Sequence, residues 1–192
     1  VVQMIRYLFL VILLLPLSSL ANVKHYQVIP AESKMTFHGE HAGNKFDGVF
    51  KNWQADLMFS PDDLENSSFT AEIDLTSAET GDDMYDGTLP KSDWFDVENH
   101  PKATFQSTSF EKLDEQGQFK VTGNLKIRGI ENNIEMSFTL DPADLSAKKI
   151  SSQGSFTVDR LSYDIGKKSD PEAKWVSREI KVKLDVKVKE TN

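Results

Sequence analysis

Cysteine is missing from all 192 residues of this chain, so disulfide bridges, a thiol nucleophile and thiolate metal ligands are excluded within it. A domain without such cross-links depends on its hydrophobic interior for stability. The chain also lacks an excess of positive charge: 30 acidic residues outnumber 22 basic ones and give a net charge of −8. This balance repels a phosphate backbone, and we expect no nucleic-acid partner.

Recognisable catalytic spacing is a second absence. The sequence contains no Gly-x-Ser-x-Gly motif, no His-Glu-x-x-His motif and no phosphate-binding glycine loop. His38 and His41 are three residues apart, which on a strand places them on opposite faces and prevents them from sharing a metal ion. The sequence therefore predicts a protein that is not an enzyme and that uses neither a metal nor a cofactor.

Long apolar runs are confined to one segment, residues 1–21. It contains Arg6, an apolar stretch over 7–15 and a small-x-small cleavage sequence at 19–21. The stretch is too short to serve as a permanent membrane helix. We predict a cleavable signal peptide over 1–21 and export of one domain over 22–192, since 192 less 21 leaves 171 residues.

Strict alternation of apolar and charged residues is the strongest positive signal, and it is clearest over Arg178–Glu190. Successive side chains of a strand point to opposite faces, so this pattern predicts a strand with one buried and one solvated face. Seven further segments alternate in the same way, and short connections make neighbouring strands antiparallel. The eight predicted strands are Lys34–His41, Lys45–Phe59, Phe69–Ser77, Ala103–Phe110, Gln118–Ile127, Asn133–Leu140, Ile150–Val158 and Ser177–Lys189.

The second of these strands changes phase, because Phe46 and Phe50 share one parity whereas Leu57 has the other. This change predicts a bulge or bend at Asn52-Trp53. Long, bent and twisted strands allow a sheet to curl onto itself and to eliminate its edges. We therefore predict an all-β fold that forms a closed antiparallel barrel of eight strands rather than a sandwich.

Two segments do not alternate. Asp82–Phe95 predicts one or two short helical turns, with Ser92 as an N-cap, that cover one end of the barrel. Lys167–Lys174 is polar and predicts a mobile loop.

Several short strings occur in one order along the chain and carry a resemblance. They are Met35-Thr36-Phe37 followed by His41, Phe46-Asp47-Gly48-Val49-Phe50, Asp93-Trp94-Phe95-Asp96, Pro101-Lys102-Ala103-Thr104-Phe105-Gln106-Ser107, Gly123-Asn124-Leu125-Lys126-Ile127-Arg128-Gly129, and Arg160 with Tyr163 and Ile165-Gly166. Together they resemble the YceI-like family of exported bacterial lipid-binding proteins, from about Tyr26 to Glu190. Where many relatives have R-D-x-H-L, this chain has Tyr85-Asp86-Gly87-Thr88-Leu89, so no role of that Arg and His is carried over.

The resemblance implies a lipocalin-like barrel in the periplasm that holds a polyisoprenoid, a quinone-like compound or a fatty-acid-like amphiphile in its bore. Many relatives pair into dimers, so a homodimer is implied as well. The sequence of residues 89–96 is similar to that of one branch of the family, whose members are found beside or fused to cytochrome b561 domains. That similarity implies an alternative role as an accessory protein of such a membrane redox partner.

The sizes of the inward residues leave two interpretations of the bore open. Bulky phenylalanines alternate with Gly39, Gly48 and Gly123, which either leaves a narrow channel or fits a solid core to the taper of the barrel. A solid core would make the protein an interaction scaffold, whereas the resemblance favours a channel. The predicted bore residues are Phe37, Phe46, Phe50, Leu57, Phe69, Ala71, Ile73, Phe105, Leu125, Ile127, Phe138, Val158, Val182 and Leu184.

Three polar residues are candidates for the mouth, where the headgroup of a ligand would lie. His41 continues the inward parity of Phe37, and it either forms a hydrogen bond at the strand end or contacts a headgroup. Arg160 either contacts a headgroup or pairs with Asp86 or Asp164 as a structural clamp. Asp86 is alternatively a cap of the predicted helical turn.

Overall fold

The computed structural model describes residues 23–114, 116–140, 144 and 149–191. The predicted signal peptide lies outside these ranges, so export and cleavage stay predictions. Within the described ranges, no helix combines the length and the apolar character needed to cross a membrane.

Strands dominate the described residues, and helical structure is limited to short turns. The α-helix α1 spans Asp83–Asp86, and 3-10 turns lie at Pro30–Glu32, Leu64–Asn66, Leu75–Ser77 and Arg160–Tyr163. The strands are β1 Lys24–Val28, β2 Lys34–His41, β3 Asn44–Phe50, β4 Trp53–Phe59, β5 Ser68–Asp74, β6 Ala78–Glu79, β7 Lys102–Lys112, β8 Gln118–Ile127, β9 Ile130–Leu140, β10 Lys149–Asp159 and β11 Glu179–Thr191.

Antiparallel pairing joins these strands into one sheet that closes on itself. β1 and β2 occupy one position, because both lie along β11 and only a short connection with one 3-10 turn separates them. β3 and β4 occupy the next position, since β3 pairs with β2 and β4 pairs with β1. The order continues through β5, β7, β8, β9 and β10 to β11, and β6 adds a short extension against β3. The pairing of β1 with β11 closes the ring, which confirms the predicted eight-stranded barrel.

Several strand boundaries differ from the prediction; the predicted strand Phe69–Ser77, for example, ends at Asp74 because Leu75–Ser77 forms a 3-10 turn. The interruption at Lys51-Asn52 divides the predicted strand 45–59 into β3 and β4, so the predicted bend is present. β1 has five residues and one fully buried side chain, Tyr26, which is too short a pattern to predict a strand. β9 begins at Ile130 because Arg128 and Gly129 adopt positive φ angles, and such residues form a two-residue hairpin turn.

The predicted helical turn after Ser92 is wrong. The α-helix lies earlier because the Asp82 carboxylate caps it, accepting the backbone N–H groups of Met84 and Tyr85. Residues 91–95 form turns instead, in which the N–H of Trp94 donates to the carbonyl of Lys91.

The two ends of the barrel are built differently. At one end, here called the lid end, the segments 80–101 and 160–178 contribute Phe95 and Ile165 to the interior. The other end, here called the far end, carries the connections from β4 to β5 and from β7 to β8. A separate cluster of side chains closes the far end, none of them more than 4% exposed: Tyr26, Phe59, Phe119, Leu140, Ile150 and Val188.

Candidate ligand-binding site

An apolar cavity lies inside the barrel, beneath the lid end. It contains about 790 Å³ of atom-free space, part of it open to solvent. Strand residues such as Ile73 and Leu125 form its wall, and Leu89, Trp94 and Ile165 from the lid segments cover it. Arg160 is the one polar residue among those that line it. Such a cavity suits an apolar ligand with a single polar contact point.

A cleft of about 560 Å³ of atom-free space leads from the surface toward this cavity. The cleft, here called the mouth, is bordered by His41 at the end of β2 and by Met84 and Tyr85 of α1. Mouth and cavity adjoin each other, since they share the lining residues Phe37, Phe46, Leu89, Trp94 and Val176.

A second apolar cavity lies in the far half of the barrel, with about 620 Å³ of atom-free space that includes open solvent. Trp53, Phe69 and Leu184 are among the side chains that line it, and Gly154 forms part of its wall. The barrel interior therefore holds apolar space along both halves.

His41 and Tyr85 form the polar part of the mouth. The His41 Nδ1 and Tyr85 hydroxyl oxygen atoms are 2.8 Å apart, and the two rings meet edge to face at a centroid distance of 5.5 Å. The Tyr85 ring also packs 5.8 Å from that of Phe46. The structure thus places His41 both in a hydrogen bond at the strand end and on the border of the mouth.

Arg160 is 1% exposed and its guanidinium is fully engaged by the lid end. Its Nη2 lies 2.7 Å from Asp170 Oδ2, and its donors also reach the carbonyls of Ile165, Val176 and Ser177. The guanidinium carbon lies 5.8 Å from the centroid of the Trp94 ring. The predicted pairing with Asp86 or Asp164 is wrong, because Asp170 is the partner.

Asp170 is equally buried, at 5% exposure, and it organises the loop that was predicted to be mobile. Its carboxylate accepts the backbone N–H groups of Lys174, Trp175 and Val176. Burial raises the pKa of Asp170, but these hydrogen bonds and the Arg160 charge outweigh it and hold the pKa below the ordinary aspartate value. Arg160 and Asp170 therefore form a buried clamp inside the lid end.

Asp93 connects the two lid segments. Its carboxylate accepts the N–H groups of Lys168 and Ser169, each at 2.9 Å, and its carbonyl accepts the N–H of Gly166 at 2.6 Å. Burial raises the pKa of Asp93, but hydrogen bonding to Ser169 and Lys168 outweighs it and lowers the pKa. We call this set of contacts the Asp93 latch.

Asp86 has a structural position outside the mouth. Its carboxylate accepts the N–H of Thr80 at 2.7 Å, the hydroxyl of Thr80 at 2.6 Å and the N–H of Gly81 at 3.2 Å. It therefore closes the turn before α1, while the N-cap is Asp82. The prediction that Asp86 caps the helix is wrong, and its neighbour Tyr85 is the residue that borders the mouth.

The predicted bore residues fall into three groups. Ala71 and Phe105 are buried in the core, at 9% and 6% exposure, and do not line the cavities described above. Four line the far cavity: Leu57, Phe69, Phe138 and Leu184. Eight line the cavity beneath the lid end: Phe37, Phe46, Phe50, Ile73, Leu125, Ile127, Val158 and Val182.

The interior glycines do not form the channel. A Cβ atom on Gly48 would lie 2.1 Å from the Phe37 ring, and one on Gly123 would lie 2.4 Å from the Phe105 ring. One on Gly39 would lie 2.6 Å from the Phe46 ring. At these three positions, large and small residues pack as a solid core, and the free space lies elsewhere.

Comparison with known proteins decides the family. The model of the YceI-like domain matches residues 26–188, most of the chain. This chain belongs to the YceI-like family. A UPF0312 protein of Ectopseudomonas mendocina is 24% identical over 165 residues, which cover 78% of this chain and 85% of that protein. A UPF0312 protein of Vibrio parahaemolyticus is 27% identical over 106 residues, and the match spans 54% of this chain and only 55% of that relative.

The barrel is similar in fold to several solved structures. BcnA of Burkholderia cenocepacia superposes with a TM-score of 0.76 at 25% identity, covering 83% of this chain and 98% of that chain. A polyisoprenoid binding domain from Saccharophagus degradans, implicated in plant cell wall breakdown, has a TM-score of 0.67 at 16% identity. That match covers 88% of this chain and 99% of the other, and at this identity it shows the fold alone.

Several residues of this YceI-like site were missed by reasoning from strand periodicity. Leu89, Trp94, Ile165 and Val176 line the cavity from non-alternating segments, which carry no periodicity to mark an inward face. The aromatic pair Trp94-Phe95 in a polar stretch was the available signal. No group of three or more His, Cys, Asp or Glu residues that could hold a metal ion occurs in the described part of the chain.

Proposed function

We propose that this YceI-like protein binds a long-chain amphiphile of the isoprenoid type inside its barrel and carries it without chemical change. The observation that carries the proposal is the apolar cavity beneath the lid end, which adjoins the open mouth. A periplasmic location, consistent with the predicted signal peptide, is part of the proposal. The description of the Saccharophagus degradans neighbour as a polyisoprenoid binding domain supports the choice of ligand class.

Burial of the tail supplies the binding energy. Transfer of a methylene group from water to an apolar site is worth about 0.8 kcal/mol, so roughly ten buried carbons give about 8 kcal/mol before ordering costs. Micromolar affinity corresponds to about −8 kcal/mol, so few polar contacts are required. The tail would lie beneath Leu89 and Trp94, in the cavity whose wall includes Ile73 and Leu125.

The headgroup would lie at the mouth, between His41 and Tyr85. The pair offers a hydroxyl and an imidazole, which can donate to a hydroxyl or quinone oxygen and can accept from a hydroxyl group. Arg160 is committed to Asp170 and to backbone carbonyls, so we assign it to the clamp and not to the headgroup.

Leu89 offers the sharpest test, because it lines both the mouth and the cavity. Leu89→Trp should fill their junction without forcing apart the strands of the wall. The matched control is Leu113→Trp, at a residue that is 46% exposed after β7 at the far end. Protein purified after export is extracted with organic solvent, and the extract is analysed by mass spectrometry.

We expect a near-stoichiometric isoprenoid lipid in the wild type and in Leu113→Trp, and a loss of about tenfold or more in Leu89→Trp. Thermal unfolding of all three proteins checks that each is folded. Lipid-free extracts of the wild type, together with no uptake of a long-chain isoprenoid alcohol in solution, would contradict the proposal. That outcome would favour the alternative of a filled barrel acting as an interaction scaffold.

A further inference from the structure

Two apolar cavities follow each other along the inside of this barrel, and the proposed function uses the one beneath the lid end. The two share no lining residue within the described part of the chain. A tail that entered both cavities would be much longer than a tail confined to the first. The structure that separates the cavities therefore bears on the length of the ligand.

The separation lies at one layer of inward positions on neighbouring strands. On β8, Leu125 lines the cavity beneath the lid end and Val121 lines the far cavity, while Gly123 stands between them. The same order recurs on β5 and β7, where Ala71 and Phe105 hold the middle position. We call Ala71, Phe105 and Gly123 the partition layer.

Phe105 has the one large side chain of the partition layer. It is buried, and it pairs directly with Ala71 across β5 and β7. On its other side the ring lies over Gly123, where an added Cβ would come within 2.4 Å of it. The ring therefore occupies the room that its two small neighbours leave. It also packs 5.6 Å from the ring of Phe69, which lines the far cavity.

The opposite wall has no such layer between the cavities. Val182 and Leu184 are successive inward residues of β11, and they line the cavity beneath the lid end and the far cavity respectively. On β10, Phe156 and Gly154 follow each other in the same way. The separation of the two cavities therefore depends on the Phe105 ring.

We propose that Phe105 sets the length of the isoprenoid tail that this protein accepts, by confining the tail to the cavity beneath the lid end. This inference rests on the proposed function and adds a residue that determines its specificity. β2 runs from His41 at the mouth to Met35 on the cavity wall, a path of about 20 Å at roughly 3.3 Å per residue. Strand tilt shortens this path to about 15 Å along the barrel axis. A farnesyl tail is of comparable length, whereas a further isoprene unit would meet the Phe105 ring.

The test uses the whole protein, freed of lipid, and fluorescence titration with geraniol, farnesol and geranylgeraniol, which grow by one isoprene unit each. Trp94 lines the cavity beneath the lid end and supplies the signal. The partition variant is Phe105→Ala, and the matched control is Phe59→Ala, which removes a buried ring that lines neither cavity. Circular dichroism confirms folding, and leucine replaces alanine at both positions if either variant fails to fold.

We expect the wild-type affinity to rise about tenfold or more from geraniol to farnesol, because the added carbons are buried, and to change little at geranylgeraniol. In Phe105→Ala the second step should also bring about tenfold or more, because the tail gains the far cavity. Phe59→Ala should follow the wild type. Val186→Phe, which fills part of the far cavity, should cancel the gain when it is combined with Phe105→Ala.

Three results would overturn the role of Phe105. They are a tenfold rise at the second step in the wild type, a Phe105→Ala series identical to that of the wild type, and an equal gain in Phe59→Ala. Retention of the gain in the double variant with Val186→Phe would also overturn it, because the tail would then lie outside the far cavity. Failure of all three alcohols to bind any variant would contradict the proposed function itself, and this inference with it.

Discussion

The lid end and the far end of this barrel use similar aromatic residues to opposite effect. At the far end, Phe59 packs 5.2 Å from Phe119, and both are only 2% exposed. At the lid end, Phe37 and Phe50 pack 5.0 Å apart, yet about 790 Å³ of atom-free space lies beside them. The difference comes from what covers each end.

At the far end, buried side chains of the barrel strands close the opening themselves, and two of them, Leu140 and Val188, border the far cavity. The lid end is instead covered by two segments that the Arg160 clamp and the Asp93 latch hold in place. Polar contacts can hold a cover at a distance from the core, whereas apolar side chains must collapse onto each other to gain energy. The larger of the two interior cavities therefore lies beneath the end where hydrogen bonds carry the closure.

The largest expected effect comes from removing the clamp that supports the lid end. Arg160→Ala leaves the Asp170 carboxylate buried without its cation and orphans three carbonyls, so stability should fall by about 3–5 kcal/mol. Urea unfolding measures the loss. Arg178→Ala is the control, because it breaks the exposed pair with Asp159 and should change stability little. Equal losses in the free energy of unfolding would mean that the buried clamp contributes no more to stability than the exposed pair does.

Truncating one aromatic residue at each end tests the comparison directly. Phe119→Ala opens a void in the closed far end and should cost about 3–4 kcal/mol, within the range for buried phenylalanines. Phe46→Ala removes a half-buried ring that borders the mouth, and it should cost about 1–2 kcal/mol while enlarging the entrance. Guanidinium unfolding measures both. A larger loss for Phe46→Ala would reverse our assignment of the closed end.

Gly48 and Gly154 differ in the room that the barrel interior leaves for an added methyl group. Gly48→Ala forces the Phe37 ring to move and should destabilise by about 1–3 kcal/mol. A Cβ on Gly154 would meet its nearest atoms at 3.4 and 3.5 Å, which is ordinary contact, so Gly154→Ala should stabilise by about 0.4–1 kcal/mol. Thermal unfolding of the pair is the measurement. Similar effects of the two substitutions would show that the interior is packed alike at both positions.

A further small effect concerns the Asp93 latch and its dependence on pH. The pKa of Asp93 is lower in the folded chain than its ordinary value of 3.8, so its contribution is complete at neutral pH and is lost as the pH falls through the lowered value. Asp93→Ala should cost about 1 kcal/mol at neutral pH and less in acid. Stability measured against pH checks this.

Asp83→Ala is the control for the latch, because that exposed residue of α1 has no such contacts to the other lid segment. We also expect Asp93→Ala to speed ligand exchange through the mouth, which stopped-flow fluorescence would record. A pH profile unchanged from the wild type would remove Asp93 from the latch.

Strand periodicity predicted the barrel well because each wall strand has one buried face. β8 spans Gln118–Ile127, as predicted, since its inward residues are all buried. The Asp170 partner of Arg160 could not be found in this way, because it lies in the polar stretch Lys167–Lys174 with no apolar pattern around it. Its burial depends on contacts with Arg160, ten residues earlier in the chain, and with the backbone N–H groups of Lys174 and Val176. The cavity was equally hidden, because Phe37 and Phe105 occupy the spaces beside Gly48 and Gly123.

β11 pairs with β10 on one side and with both β1 and β2 on the other. A nascent polypeptide that ended before Glu179 would leave three strand edges without partners and would have an incomplete wall around the interior. On the proposed function, capture of a hydrophobic guest must therefore wait until the last thirteen-residue strand has been made. Translation of this final segment thus sets the earliest moment at which the proposed guest can be sheltered.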